Sequence, residues 1–190
     1  MTQTATYTME AFVDDVKEIF ASTKDPLAQA QAVADQMKVL LDVPDWLEEK
    51  LNLPEEGGFG RYDLHFDENS GSPEPGFLLM CTVQKPGQDN LPHDHGAAWV
   101  VYGVYDGAIK QTKWRWFYKG EGVDTPRIKE TGNFVQKNGK VAFFLPGEIH
   151  HTENITGGRA LVVRLESQKL TEVTRYQYDP NANTVKKMDR

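Results

Sequence analysis

From about residue 60 onward the chain consists of short runs rich in β-branched and aromatic residues, broken at close intervals by Gly, Pro and Asn. Such runs are strands, because branched and aromatic side chains pack well on a pleated surface while Gly, Pro and Asn favour turns. The predicted strands are 61–66, 77–84, 99–105, 108–118, 133–137, 141–145, 159–166 and 172–178. Asp106-Gly107 and Asn138-Gly139 each lie between two runs and carry the chemistry of two-residue hairpin turns. Many short antiparallel strands protect their edges by closing into a barrel or a double-sheet roll. The stretch 67–76 reads as an exposed loop. Before residue 60 the apolar period is helical. Phe12, Val13, Val16, Ile19 and Phe20 form one stripe behind Thr8, a candidate N-cap. Leu27, Ala30, Val33, Ala34, Met37, Leu40 and Leu41 form a second. Asp25-Pro26 opens it with a capping residue and Pro at the first helical position, and Pro44 marks its end. A turn at Trp46-Leu47 follows, and both stripes are expected to pack on a sheet. The change of period divides one structural domain into a helical segment, 1–58, and a β-barrel segment, 59–190.

The formal charge of −7 argues against a nucleic-acid partner, since phosphate contacts need a basic surface, and against docking on anionic lipid. A single cysteine, Cys81, permits no intrachain disulfide and fits a reducing compartment. No secretory signal and no apolar run of membrane-span length are evident, so the expected location is cytoplasmic. The expected state is a monomer or homodimer.

Four of the five histidines fall in two groups. In Leu91-Pro92-His93-Asp94-His95-Gly96, two imidazoles two residues apart on extended chain point to the same face. In Pro146-Gly147-Glu148-Ile149-His150-His151, a turn followed by a strand brings one more imidazole to the same place. Only one of His150 and His151 can face inward if both are extended. Three neutral imidazoles leave a divalent ion its full charge and open coordination positions, which suits catalysis better than a closed structural site. Such an ion favours anionic chelating ligands. Iron(II) suits oxygen chemistry, whereas zinc would polarise water or a carbonyl.

At these residues the chain resembles the cupin superfamily. Gly87 through His93, His95 and Gly107 matches the first cupin motif, except that Trp99 or Val100 stands where a glutamate ligand is usual. Pro146-Gly147, His150 and Asn154 match the second motif, and this spacing assigns His150 to the metal. The missing glutamate points to the three-histidine branch, where the chain is most similar to the cysteine dioxygenase family, including bacterial 3-mercaptopropionate dioxygenases. The similarity also touches Phe12-Val13-Asp14-Asp15-Val16, Pro44-Asp45-Trp46-Leu47, Asp63-Leu64-His65, Glu153-Asn154 and Val173-Thr174-Arg175-Tyr176. The fold it implies is mainly β, a cupin double-stranded β-helix (jelly-roll barrel) with N-terminal α-helices packed on it. The activity it implies is oxidation of a thiol to a sulfinate by O2 at Fe(2+), held by His93, His95 and His150.

The chain also departs from that family. Arg164 and Glu166 stand where the His and Tyr of a Ser-His-Tyr hydrogen-bond chain are expected, with Ser167 the nearest hydroxyl. Val100 replaces the crosslinking cysteine of some members. Arg175 aligns with the carboxylate-binding arginine of the bacterial branch, while Tyr62, beside Arg61, falls at the animal-type arginine. Arg164, Glu166 and Arg175 are therefore the candidate substrate-handling residues, with Arg175 and Arg164 gripping a substrate carboxylate. Rival readings are cleavage of a carbon–carbon bond in a β-dicarbonyl or hydroxy-ketone, an isomerase or lyase using Zn, Ni or Mn, and a non-catalytic ligand-binding cupin.

Elsewhere, Trp114 and Trp116 alternate with basic residues, which favours barrel core on one face over a substrate pocket. Cys81 reads as a small buried hydrophobe, His65 as structural, Glu153 as either an imidazole-orienting carboxylate or a solvated residue, and 186–190 as a solvated tail.

Overall fold

The computed structural model describes residues 7–68, 73–118 and 127–188, the side chain of Tyr118 excepted. Helix α1 (Met9–Ser22) is capped by the Thr8 hydroxyl, which accepts from the Ala11 N–H at 3.1 Å. Helix α2 (Pro26–Leu41) is capped by Asp25, which accepts from the Ala28 N–H at 3.0 Å. The predicted turn at Trp46-Leu47 is instead a short helix, α3 (Trp46–Leu51). Its burial of Trp46 and Leu47 supplies the packing that so short a helix needs.

Ten strands follow: β1 (Gly60–Asp67), β2 (Phe77–Gln84), β3 (Val100–Asp106), β4 (Ala108–Tyr118), β5 (Arg127–Lys137), β6 (Val141–Phe144), β7 (Ile149–Asn154), β8 (Ala160–Glu166), β9 (Tyr176–Asp179) and β10 (Thr184–Lys187). β5 begins six residues earlier than the sequence indicates, because the polar 127–132 stretch pairs with β4 despite its exposure. The expected strand at 172–178 narrows to β9, and Lys186 and Lys187, expected in a solvated tail, belong to β10. Residues 69–72 of the expected exposed loop, and the last two of the tail, lie outside the described residues.

The first sheet has the order β1-β2-β8-β3-β6 and the second β5-β4-β7. Segment 87–93 runs antiparallel to β7: Gly87 N–H donates to Asn154 O, Asn90 N–H to Thr152 O, and His93 and His150 exchange two backbone bonds. His93 also bridges Gln177, which joins β9 and β10 to this second sheet. Counting 87–93 as a strand, β2-β8-β3-β6 faces 87–93-β7-β4-β5. Eight strands wound this way, with successive strands alternating between two four-stranded sheets except at the β4–β5 hairpin, form a jelly roll, the double-stranded β-helix of cupin-type proteins. Asp106-Gly107 and Asn138-Gly139 are therefore not hairpins. Each carries the chain from one sheet to the other, since β3 and β6 pair together while β4 and β5 pair together.

The first sheet is covered on both faces, which is why β2, β3 and β8 read as nearly continuous apolar runs. On its outer face Leu79, Cys81, Val101, Val163 and Leu165 meet helix residues Phe12, Phe20, Met37 and Leu40. Phe20 stacks on Phe77 and Trp99, with ring centroids 5.7 and 5.6 Å away. Gly103 admits α2 closely: a Cβ there would lie 2.7 Å from Leu41 Cδ1 and 2.8 Å from Met37 Sδ. On the inner face Val100, Tyr102, Val104 and Val162 join Ile109 and Phe144 to fill the roll. No helix among the described residues is long and apolar enough to cross a membrane.

Candidate metal centre

His93 and His95 do not sit on a full strand; His93 makes single bridges to β7 and β9, and a turn follows at Gly96. Their shared direction is fixed instead by Asp94, which points the other way. Its Oδ1 accepts from the N–H groups of Gly96 (2.9 Å) and Tyr176 (3.1 Å), and its Oδ2 from the Tyr178 hydroxyl (2.5 Å). Gly96 turns the chain at φ +61, hard against β9's approach: a Cβ there would lie 2.1 Å from the Thr174 carbonyl oxygen. Opposite, β7 buries His150 completely and leaves His151 partly exposed, accepting a bond from the Trp114 indole N–H at 2.9 Å.

The structure brings His93, His95 and His150 together, with one ring nitrogen of each within 4.8 Å of the others. His95 Nε2 and His150 Nε2 are 3.2 Å apart. The other nitrogens are spoken for in two of the three. His93 Nδ1 lies 3.0 Å from the Leu91 carbonyl, and His150 Nδ1 lies 3.0 Å from Gln111 Oε1, so each donates there and turns an Nε2 lone pair to the centre. Gln111 is itself held. Its amide donates to Gln136 Oε1 at 2.9 Å, and Gln136 donates to the Tyr102 and Lys140 carbonyls. His95 Nδ1 is buried without a hydrogen-bond partner among the described residues. Burial keeps all three rings neutral: His93 is pushed down to about 4, and His95 and His150 well below the usual histidine range. Two converging lone pairs at 3.2 Å repel unless a cation or proton lies between them. At metal–nitrogen bonds of about 2.1 Å, that separation subtends about 100°, between octahedral and tetrahedral geometry. These residues fit a divalent transition ion.

A cavity of about 420 Å³ opens beside His93, lined by Gln84, Asn90, Tyr102, Thr152, Arg164 and Arg175 among others. Its size suits a small molecule. Arg164 projects into it from β8 in the row Met80–Arg164–Tyr102 across three strands. Glu166 pairs with Arg164 at 2.7 Å and accepts from the Leu170 N–H through its other oxygen, so it holds the guanidinium without lining the cavity. Burial opposes the Arg164 charge, yet Tyr102 and Glu166 more than restore it. Arg175 bonds the Leu170 carbonyl at 3.2 Å, and burial together with the like charge of Arg164 lowers its affinity for its proton. Two guanidiniums lining one small cavity repel, and an anion bound there relieves them.

Other candidates lie elsewhere. His65 packs against Phe77, 5.7 Å between centroids, with Asp67 at 3.5 Å. Glu153 pairs with Lys110 and orients no imidazole; Gln111 does that work. Arg61 pairs with Asp63 at the surface, and the Tyr62 hydroxyl donates to the Gly58 carbonyl. Trp114 and Trp116 are not barrel core. They remain partly exposed along an open groove with Lys113, Arg115 and Glu148, where β4 runs past the start of β7 and is paired only with β5. Sequence reasoning missed Tyr102 and Gln111. The signal was parity: Tyr102 shares a strand face with Val100 and Val104, and Gln111 with Ile109, so both are polar residues at inward positions.

No protein-family model matches the chain, and no curated protein matches it in sequence. Solved structures similar to it include the cupin domain of Schizosaccharomyces pombe Cnp3 (13% identity, TM-score 0.42, covering 56% of this chain and 61% of that one). An oxalate oxidase is 19% identical at TM-score 0.42, covering 62% of this chain and 57% of its own. A Klebsiella pneumoniae protein with a double-stranded β-helix domain is 16% identical at TM-score 0.42, covering 68% and 86%. The chain thus spans about three fifths of the length of the first two. At these scores the fold assignment stands on the strand order described above. What that order and the histidine cluster establish together is a jelly roll of the cupin kind carrying three imidazoles that can hold a metal ion.

Proposed function

We propose that the chain is a mononuclear non-haem iron(II) dioxygenase of the cysteine dioxygenase type, oxidising a small thiol that also carries a carboxylate. One juxtaposition supports this reading: a cluster of three neutral imidazoles reaches, through His93, a cavity of small-molecule size that two guanidiniums line. Arg164, locked by Glu166, and Arg175 bind the carboxylate; a planar guanidinium does so in bidentate fashion and fixes the direction of the rest of the molecule. That direction brings the sulfur of a short substrate toward His93, which lines the same cavity. Iron, when bound, supplies a common site for a thiolate and dioxygen. Because the three histidines bring no charge, the site favours an anionic sulfur, and the thiol proton leaves through the open cavity. Val100, Val104 and Phe144 close the inner side against water. The overall change adds both oxygen atoms to the sulfur and gives the sulfinate.

Oxygen uptake by iron(II)-loaded protein tests this with 3-mercaptopropionate, cysteine and acetylacetone as separate substrates. The expected result is consumption of equal amounts of thiol and oxygen, with sulfinate formed. Uptake on the diketone alone would favour carbon–carbon cleavage, and silence on all three with iron bound would sink the oxygenase reading. Stoichiometric zinc and no iron in protein purified without added metal would favour a hydrolytic or isomerising enzyme.

A further inference from the structure

We propose that Tyr102 is a fourth protein ligand of the metal centre, its phenol oxygen binding the ion as a phenolate alongside His93, His95 and His150. This rests on reading the three imidazoles as metal ligands and is independent of which substrate the enzyme takes.

The geometry is a triangle. Tyr102 Oη lies 3.2 Å from His95 Nε2 and 3.3 Å from His150 Nε2, and those two nitrogens are 3.2 Å from one another. Three ligand atoms at such mutual distances form one face of a coordination polyhedron, each pair subtending about 100° at metal–ligand bonds of about 2.1 Å. A phenol has a single proton and can donate to only one of the two Nε2 atoms. Without a metal the contacts form a chain in which His95 Nε2–H donates to Tyr102 Oη and the Tyr102 hydroxyl donates to His150 Nε2, because His150 Nδ1 uses its proton toward Gln111 while His95 Nδ1 has no partner among the described residues. A cation at the centre of the triangle would take the place of those protons and bond all three atoms.

The strand explains how a tyrosine comes to be there. Val100 and Tyr102 share the inward face of β3. The glutamate ligand common in cupins would stand at Trp99 or Val100. A phenol oxygen reaches farther from the backbone than a carboxylate, so it can serve the same ion from one pleat further along. The ring is buried and held at both ends. Gln136 donates to the Tyr102 carbonyl at 2.9 Å, and the Arg164 guanidinium lies over the ring, 5.3 Å from its centroid. On binding, the phenol O–H bond breaks, an oxygen–metal bond forms, and the proton leaves through the cavity that Tyr102 lines. Four protein ligands would still leave the ion able to take exogenous ligands, and a phenolate would stabilise the ferric state relative to the ferrous one.

The test uses the full chain loaded with iron(II), with bound iron quantified, then oxidised with ferricyanide. Wild type is expected to show a visible phenolate-to-iron charge-transfer band whose resonance Raman spectrum contains tyrosinate ring modes. Tyr102→Phe keeps the ring and is expected to keep bound iron at saturating metal, to lose the band, and to bind iron more weakly by at least the roughly 10- to 100-fold that loss of an outer-shell partner costs. Stoichiometric iron without the band in wild type, or a band that survives in Tyr102→Phe, would overturn the inference while leaving the three-histidine centre intact. Failure of wild type to bind iron would remove both. If Tyr102→Phe does not fold, wild type grown with ring-deuterated tyrosine decides: the modes must shift, since Tyr102 is the tyrosine whose oxygen contacts the imidazoles among the described residues.

Discussion

Replacing Gln111 by leucine tests whether the histidine centre is built to present lone pairs to a metal. Gln111 Oε1 accepts from His150 Nδ1–H at 3.0 Å in a fully buried environment. Without that acceptor the metal-free protein has an escape, because the ring can carry its proton on Nε2 and donate to Tyr102 Oη or His95 Nε2, 3.3 and 3.2 Å away. The metal-bound protein has none: an ion on Nε2 forces the proton onto Nδ1, where it is now buried and unpaired. Such an unsatisfied donor costs about 1–3 kcal/mol. Because the cost falls on the bound state alone, it reads out as affinity, and at 1.4 kcal/mol per factor of ten it amounts to about 5- to 150-fold. The bond that Gln136 loses when Gln111 is removed is lost with or without metal and cancels. Competition of wild type and Gln111→Leu against a chelator for cobalt(II) measures the ratio, with a thermal melt of the metal-free proteins as control. Equal affinities in two folded proteins would refute the reasoning, as would a loss of metal-free stability with no change in affinity.

Other outcomes follow from the packing and the buried titrating groups. Phe20→Ala removes a fully buried ring stacked on Phe77 and Trp99 and should destabilise by about 3–5 kcal/mol, lowering Tm by roughly 6–20 °C in a calorimetric scan; a drop of a degree or two would mean that α1 is not anchored through this residue. Burial pushes the Cys81 thiol up to about 12, so an aromatic disulfide reagent at pH 8 should label it only after unfolding in guanidinium, and rapid labelling of native protein would contradict its place in the core. The three central histidines are held below their unfolded value of 6.5, so between that pH and the folded value (about 4 for His93) the unfolded chain binds protons that the folded chain does not. Stability of the metal-free protein should therefore be complete above pH 6.5 and fall as the pH drops from there toward 4, read as a declining urea midpoint; a flat profile would show the rings to be solvated.

Much of this was legible in the chain because the signals were local. Thr8 and Asp25-Pro26 mark helix starts through caps that need only three or four residues to act. β2 and β4 fall at their predicted bounds because Gly, Pro and Asn delimit them. What escaped depends on partners distant in sequence. The chemistry of Asp106-Gly107 is that of a tight turn, but whether a turn joins two strands of one sheet or crosses between sheets is decided by β8, which takes the place beside β3. β5 shows little alternation of its own and extends only because β4 offers it an edge. At the site, His93, His95 and His150 announce themselves by residue type and spacing. Tyr102 and Gln111 are ordinary residues whose role appears only when β3, β4 and β7 are set around one interior.

The two faces of the first sheet make the site and the helices interdependent. Side chains alternate with a period of two, so a one-residue slip of β3 against β8 would turn Tyr102 toward α2 and bring Val101 and Gly103 inward. That slip is resisted from the outside. Gly103 lies directly under Met37 and Leu41, where even a Cβ would force both side chains to shift; the far larger Tyr102 in its place would collide with both. It is resisted again from within, where Arg164 must reach Glu166 on its own strand and Tyr102 on the next in the same row. The N-terminal helices contribute no group to the cavity, yet their contact with Gly103 holds the register that aims Tyr102 and Arg164 into it. A chain lacking them would lose the geometry of the centre through its strand pairing, with every histidine still present in the sequence.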